Sequence, residues 1–108
     1  MDLRICEAIA GRRLLMLAYK GVLRVVEPHL YGRTTTGREA LSAWMRPGWS
    51  RADPEGGWRL FHADAFRELQ ALPERFAGAR AGFNPADAHF AEVFCHVARG
   101  DGAPDDDA

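Results

Sequence analysis

The sequence predicts a mainly β domain with flanking helices (α+β), its five short strands curled into a small barrel. Three observations predict it. Apolar spacing changes from helical to strand-like after about residue 13 and returns to helical after about residue 84. Between those points, strand-length apolar runs follow one another across glycine turns with no long helix, which favours a small barrel over a βαβ sheet. The length, 108 residues, allows one domain only. A chain of this size buries roughly 65% of its extended surface on folding.

The first element, about residues 3–12, reads as a helix. Asp2 caps it, Arg12 and Arg13 sit at its cation-favouring end, and Ile5, Cys6 and Ile9 form its apolar face. Leu14–Tyr19 is a strand-length run closed by Lys20-Gly21, a tight turn. Val22–Tyr31 is a second strand, and Pro28, lacking an amide hydrogen, marks an edge or a bulge within it. Glu39–Met45 is a third strand whose two faces both look covered. Residues 46–57, RPGWSRADPEGG, read as a loop. Trp58–His62 is a fourth strand, residues 63–65 one helical turn, and Phe66–Leu72 a fifth strand.

The last element, residues 85–98, carries the clearest helix signal. Asn84-Pro85 supplies a cap and a first-turn proline, Asp87 stands three residues after the cap, and Phe90, Val93, Phe94 and Val97 recur at helical spacing. The domain therefore spans 1–98, followed by an acidic tail over 99–108 that is expected to be disordered. The expected core is Ile9, Leu15, Leu17, Leu41, Trp44, Leu60, Phe61 and Phe90.

Apolar residues make up 47% of the chain and charged residues 27%, a globular balance. No run is long enough for a membrane span, and the N-terminus lacks the apolar stretch of a signal peptide, so the default location is the cytoplasm. The net charge of -1 is unevenly placed: residues 1–60 carry ten basic and six acidic groups, residues 61–108 four and nine. Thirteen of the fourteen basic residues are arginine. With eighteen alanines alongside, this fits a GC-rich coding sequence, so the arginines alone do not signal phosphate recognition.

Catalytic signatures are absent. There is no GxSxG, GxxxxGK[ST], HExxH or GxGxxG. Cys6 and Cys95 stand near opposite ends without CxxC spacing, which argues against a disulfide scaffold and a zinc knuckle, and Cys6 reads as a buried structural thiol. His89 and His96 are two helical turns apart, too far to share an ion. No metal and no cofactor is expected. Acidic residues are scattered over loops and the tail, where acid–base geometry cannot be held. The chain reads as a non-enzyme. Arginines 12, 13, 24, 33, 38, 46, 51 and 59 interleave with Tyr19, Tyr31, Trp44, Trp49 and Trp58, a pattern compatible with stacking beside a phosphate track. The bland alternative is a solvated arginine face over core tryptophans.

The segments IxxAIAGRRLLMLAY (Ile5–Tyr19), RVVEPHLYG (Arg24–Gly32) and WRLFHADAF (Trp58–Phe66), followed by Phe76, resemble the WYL family over roughly residues 3–76. The resemblance implies an SH3-like or Sm-like barrel of a kind found mostly in bacterial transcriptional regulators. It also implies arginine contacts to a ligand or nucleic acid. Glu39-Ala40-Leu41 stands where the family has Trp-Tyr-Leu, and His62 and Ala65 replace two arginines of its last strand, while Arg59, Phe61 and Asp64 match. The chain looks like a stand-alone member without a helix-turn-helix, its extension GFNPADAHFAEVF adding the final helix.

The candidate ligand-binding residues are Arg59, His62, Arg24, His29 and Tyr19. Glu27, Pro28 and Asp64 are expected to support them: Pro28 bends the strand, Asp64 caps a turn by accepting backbone amides, and Glu27 either neutralises an inward-pointing Arg59 as scaffold or leaves it half-open as an anion contact. The functional expectation is a non-catalytic ligand-binding or regulatory module whose arginine-bearing face receives an anionic small molecule or, weakly, single-stranded nucleic acid. The alternative is a protein-interaction or self-assembly module, docking a regulatory partner or a second copy through an apolar patch at Trp49 or Phe90.

Overall fold

The computed structural model describes residues 1–48 and 55–98. Helix α1 (Leu3–Ala10) is followed by β1 (Arg13–Tyr19), β2 (Val22–Thr34), β3 (Glu39–Met45) and β4 (Gly57–His62). A single 3-10 turn (Ala63–Ala65), β5 (Phe66–Arg75) and β6 (Phe90–His96) complete the order. Asp2 caps α1 as its position suggests, its carboxylate accepting the Arg4 amide at 3.0 Å. The Lys20-Gly21 turn has positive φ at both residues (52° and 77°), which is the geometry that matches the twist of a two-residue hairpin.

All strand pairs are antiparallel, in the order β4-β3-β2-β1-β5, with β6 also paired to β2. The thirteen-residue β2 organises the sheet. Its first part, Val22–Val26, pairs with β1, and its last part, Leu30–Thr34, pairs with β6. Its other edge pairs with β3 along most of its length, with the register broken between Pro28 and Leu30. Pro28 is therefore a bulge residue inside a central strand rather than an edge residue. The missing amide falls where β2 changes partners.

The expected closed barrel is overturned. The strands β4 and β5 occupy opposite ends of the sheet and exchange no ladder, so the sheet is open. Closure needs a continuous hydrogen-bonded register around the circuit. Here the 3-10 turn merely carries the chain from one edge to the other. The sheet is strongly curled all the same: the Tyr19 ring on β1 meets the Phe61 ring on β4 edge-on at 5.0 Å, although β2 and β3 lie between those strands.

The expected C-terminal helix is also overturned. Asn84 and Asp87 do accept amides, but from Ala86 and His89 in consecutive turns, and Phe90–His96 is the sixth strand. The half of β2 beyond the reach of β1 would otherwise leave a row of backbone donors and acceptors unpaired. Segment 90–96, rich in aromatic and β-branched residues, satisfies them. Cys6 and Cys95, expected to stand apart as thiols, form a disulfide with their Cα atoms 5.7 Å apart. It ties α1 to β6, because α1 lies across the face of β1, β2 and β6.

The core beneath α1 contains Ile5, Ile9, Leu15, Leu17, Tyr31, Leu41, Met45 and Phe61, with Phe90 buried nearby. Trp44 and Leu60 depart from the expected core. In register, Trp44 pairs with Glu27 and Trp58, and Leu60 with Ser42, which places them on the face away from Leu41 and Phe61. That second face is covered only in part, by the segment 76–89, so Trp44 is half-buried and Leu60 exposed. Among the described residues, no helix is long and apolar enough to cross a membrane. The acidic tail, Trp49, Arg51 and Asp53 lie outside the described residues.

Candidate functional site

The second face of the sheet carries a buried carboxylate, that of Glu27. Glu27 follows two buried valines on β2, and its side chain is only 1% exposed. Burial alone would raise its pKa, but Arg80 and then Arg46 outweigh that and hold the carboxyl below the usual glutamate range. Arg80 grips it with two bonds, Nε to Oε1 and Nη2 to Oε2, both 2.8 Å. Arg46, the residue just after β3, donates its Nε to Oε2 at 2.8 Å. Both arginine side chains remain part-exposed, at 37% for Arg46 and 43% for Arg80.

His29 locks this arrangement from below. Its Nε2 accepts the Arg80 backbone N–H at 3.0 Å, which leaves the proton on Nδ1 to be donated to the Glu27 carbonyl at 2.8 Å. Burial lowers the His29 pKa and favours the neutral ring that this pattern needs, although the Glu27 carbonyl and carboxylate pull the other way. Aromatic rings surround it: Phe76 stacks at 5.4 Å, Trp58 meets it edge-on at 4.8 Å, and Phe83 tilts against it at 5.4 Å. Arg80 lies over the Trp44 ring at 4.9 Å, a cation–π contact. Trp44 meets Trp58 edge-on, and the Trp58 indole N–H donates to the Ala81 carbonyl at 3.2 Å.

The arithmetic of charge favours an anion. One carboxylate faces two guanidiniums while His29 is neutral, so the cluster is net positive. The bonds to Glu27 use Nε of Arg46, and Nε and Nη2 of Arg80. Among the described residues, the remaining guanidinium donors have no other hydrogen-bond acceptor. Such a pair, fixed by a buried acceptor, is pre-organised to hold a carboxylate or phosphate.

The residues expected from sequence divide into three places. Tyr19, Arg24 and His62 meet on the curl of the sheet. The Arg24 guanidinium lies 6.0 Å from the Tyr19 ring centre and 5.9 Å from that of Phe61, and its Nη1 donates to Met45 Sδ at 3.3 Å. The His62 amide donates to the Tyr19 hydroxyl at 3.5 Å. Among the described residues, Arg24 Nε and His62 Nδ1 are buried without a hydrogen-bond partner. His29 belongs instead to the Glu27 cluster. Arg59 turns to the carbonyls of Trp58 and Gly56, at 2.6 and 2.9 Å.

The expected Arg59–Glu27 pair is not formed. In register Arg59 opposes Ala43 while Glu27 opposes Trp44, so alternation puts them on opposite faces. Arg46 and Arg80 take the place of Arg59. Asp64 also differs from expectation: its exposed carboxylate receives Arg38 Nη2 at 3.0 Å rather than backbone amides of its turn. Arg80 was not expected from sequence, and Arg46 only as one of the arginines interleaved with aromatic residues. Arg46 was accessible through the pairing of β2 with β3, but Arg80 stands in a segment without periodicity, and no spacing connects it to Glu27.

Fold and site together define a small α+β domain on an open antiparallel sheet, with a carboxylate-braced arginine pair on its second face. No protein-family model matches the chain, and no curated protein or solved structure is significantly similar to it. The WYL resemblance gains no support from these comparisons. The SH3-like or Sm-like barrel it implied is replaced by the open sheet, and no match supports the place in transcription regulation it implied.

Proposed function

We propose that the chain is a non-catalytic ligand-binding module that receives an anion on Arg46 and Arg80. One observation carries this reading: two part-exposed guanidiniums are braced by a carboxylate that is itself 1% exposed. Holding like charges together on a surface is unfavourable unless something fixes them, and Glu27 does so while leaving outward donors over. The Trp44 ring under Arg80 adds a flat apolar neighbour to the anion position. The reading keeps the anionic ligand expected from sequence and moves it from Arg59 to Arg46 and Arg80.

The test is a titration with inorganic phosphate, acetate and a short single-stranded oligonucleotide, followed by NMR shifts of the arginine and tryptophan side-chain N–H groups. Binding should weaken as salt rises, and Arg46→Gln should weaken it at least tenfold while the spectrum stays that of a folded domain. Wild-type protein that binds none of the three at millimolar concentration overturns the proposal in favour of a protein-docking module. Binding that requires the oligonucleotide and has a steep salt dependence identifies the anion as a nucleic-acid backbone.

A further inference from the structure

The guanidinium pair does not stand alone on its face. Next to it the sheet and the segment 76–89 enclose a cleft of about 250 Å³, walled by Leu30, Trp58, Leu60 and Phe83. Asp87 and His89 line it too, hydrogen-bonded to each other at 2.7 Å. Trp58 belongs to both places. Its edge contact with Trp44 joins it to the ring under Arg80, and its near-parallel neighbour Phe83, inclined at 23°, helps to form the cleft wall.

Strand geometry sets the distances. Trp58 and Leu60 are two residues apart on β4 and point to the same side, so the apolar floor extends about 7 Å beyond the tryptophan row. That is the length of one ring and a short linker. Leu60 is 38% exposed, an uncovered apolar side chain at the centre of a strand. Charge orients any occupant: guanidiniums lie at the Trp44 side and a carboxylate, Asp87, lines the cleft itself. An anionic group is therefore drawn toward Arg46 and Arg80 and turned away from the cleft.

We infer that the ligand is an amphipathic anion: a carboxylate or phosphate held by Arg46 and Arg80, borne on a flat apolar body that lies against Trp58, Leu60 and Phe83. This inference rests on the reading of Arg46 and Arg80 as an anion site and adds the chemical class of what the anion is attached to. Neither half suffices. The cleft has no arginine or lysine among its lining residues, and among the described residues the aromatic ring under Arg80 is that of Trp44.

The experiment compares phenyl phosphate, phenylacetate, inorganic phosphate and benzyl alcohol by NMR titration of the Trp58 indole N–H and neighbouring amides, on wild type, Leu60→Gln and Arg46→Gln. At least one of the aromatic anions should bind tenfold or more tightly than inorganic phosphate, and which of them does so identifies the head group. The Leu60→Gln variant, altered at an exposed position without a change of charge, should lose that gain while keeping the affinity for inorganic phosphate. Arg46→Gln should weaken every anion. Equal affinity for phenyl phosphate, phenylacetate and inorganic phosphate overturns the inference and leaves the anion site standing. Benzyl alcohol binding as tightly as the aromatic anions, unaffected by Arg46→Gln, overturns it as well, because the cleft then works without the arginines. No binding of any anion removes both readings.

Discussion

Glu27 illustrates what a single buried charge demands of its surroundings. Three charged hydrogen bonds reach it, two from Arg80 and one from Arg46, and only this multiplicity offsets removal of a carboxylate from water. Arg46→Ala removes one such bond and should cost about 1.5–3 kcal/mol. Arg80→Ala strips the carboxylate of its bidentate partner and should cost about 3–5 kcal/mol, read as a shift in denaturant midpoint. A smaller loss for Arg80 than for Arg46 would contradict the geometry. On the other face Phe61, 1% exposed against Tyr19, should cost about 3–5 kcal/mol when replaced by alanine.

The same residues make stability depend on pH. His29 has its pKa lowered in the fold, so its contribution is complete above the unfolded value, about 6.5, and is lost as pH falls through the lower folded value. Protonation removes the Nε2 acceptor of the Arg80 amide. Glu27 is also depressed and adds its own loss further into the acid range. Both effects have the same sign. The denaturant midpoint should decline from pH 7.5 to 5 and more steeply below 4; a midpoint constant from pH 7.5 to 5 would show that His29 does not hold the segment.

At the scale of elements, the informative difference is β6. Phe90, Val93, Phe94 and Val97 repeat at three and four residues, the helical signature, yet the segment is a strand. The recurrence does not mark one buried face, because Val93 is 39% exposed while Phe90 and Val97 are buried, and the pairing with β2 carries two register shifts, between Tyr31 and Gly32 and between Arg33 and Thr34. Each bulge displaces the in–out alternation by a residue, so the inward positions of a bulged strand need not recur every second residue. Gly32 sits at one of these irregularities, where an added Cβ would run into the Glu92 carbonyl oxygen, a backbone atom that cannot swing aside. Gly32→Ala should therefore loosen β6 from β2, seen as faster amide exchange over residues 92–96 while β1 and β3 keep their protection. Unchanged exchange in β6 would mean that the close approach is not required. Other elements were legible because their signals are local: the Asp2 cap, the Lys20-Gly21 turn and the Glu39–Met45 alternation need no knowledge of distant chain.

For the molecule as a whole, the Cys6–Cys95 disulfide spans 89 residues and joins the first helix to the last strand. Cross-linking so large a loop restricts the unfolded chain, and removing the link by Cys6→Ser with Cys95→Ser, or by reduction, should cost about 2–5 kcal/mol. A melting temperature unaffected by reductant would show that the bond adds nothing. Disulfides persist in oxidising compartments. Alkylation of the thiols in freshly lysed cells therefore measures whether the bond exists where the protein works.

The sequence by itself determined α1, the Lys20-Gly21 hairpin, Pro28 as a break in β2 and core positions such as Ile9, Leu15, Leu17, Leu41 and Phe61, because periodicity, caps and turn residues act over a few positions. Only the tertiary structure decided that the sheet stays open, that segment 90–96 pairs as a strand, that the cysteines meet and that Glu27 takes Arg46 and Arg80 in place of Arg59. Each of these is a choice of partner between residues far apart in the chain. The choice is made by unpaired backbone on β2, by the face on which alternation places a side chain, and by the demand of a buried carboxylate for every donor within reach.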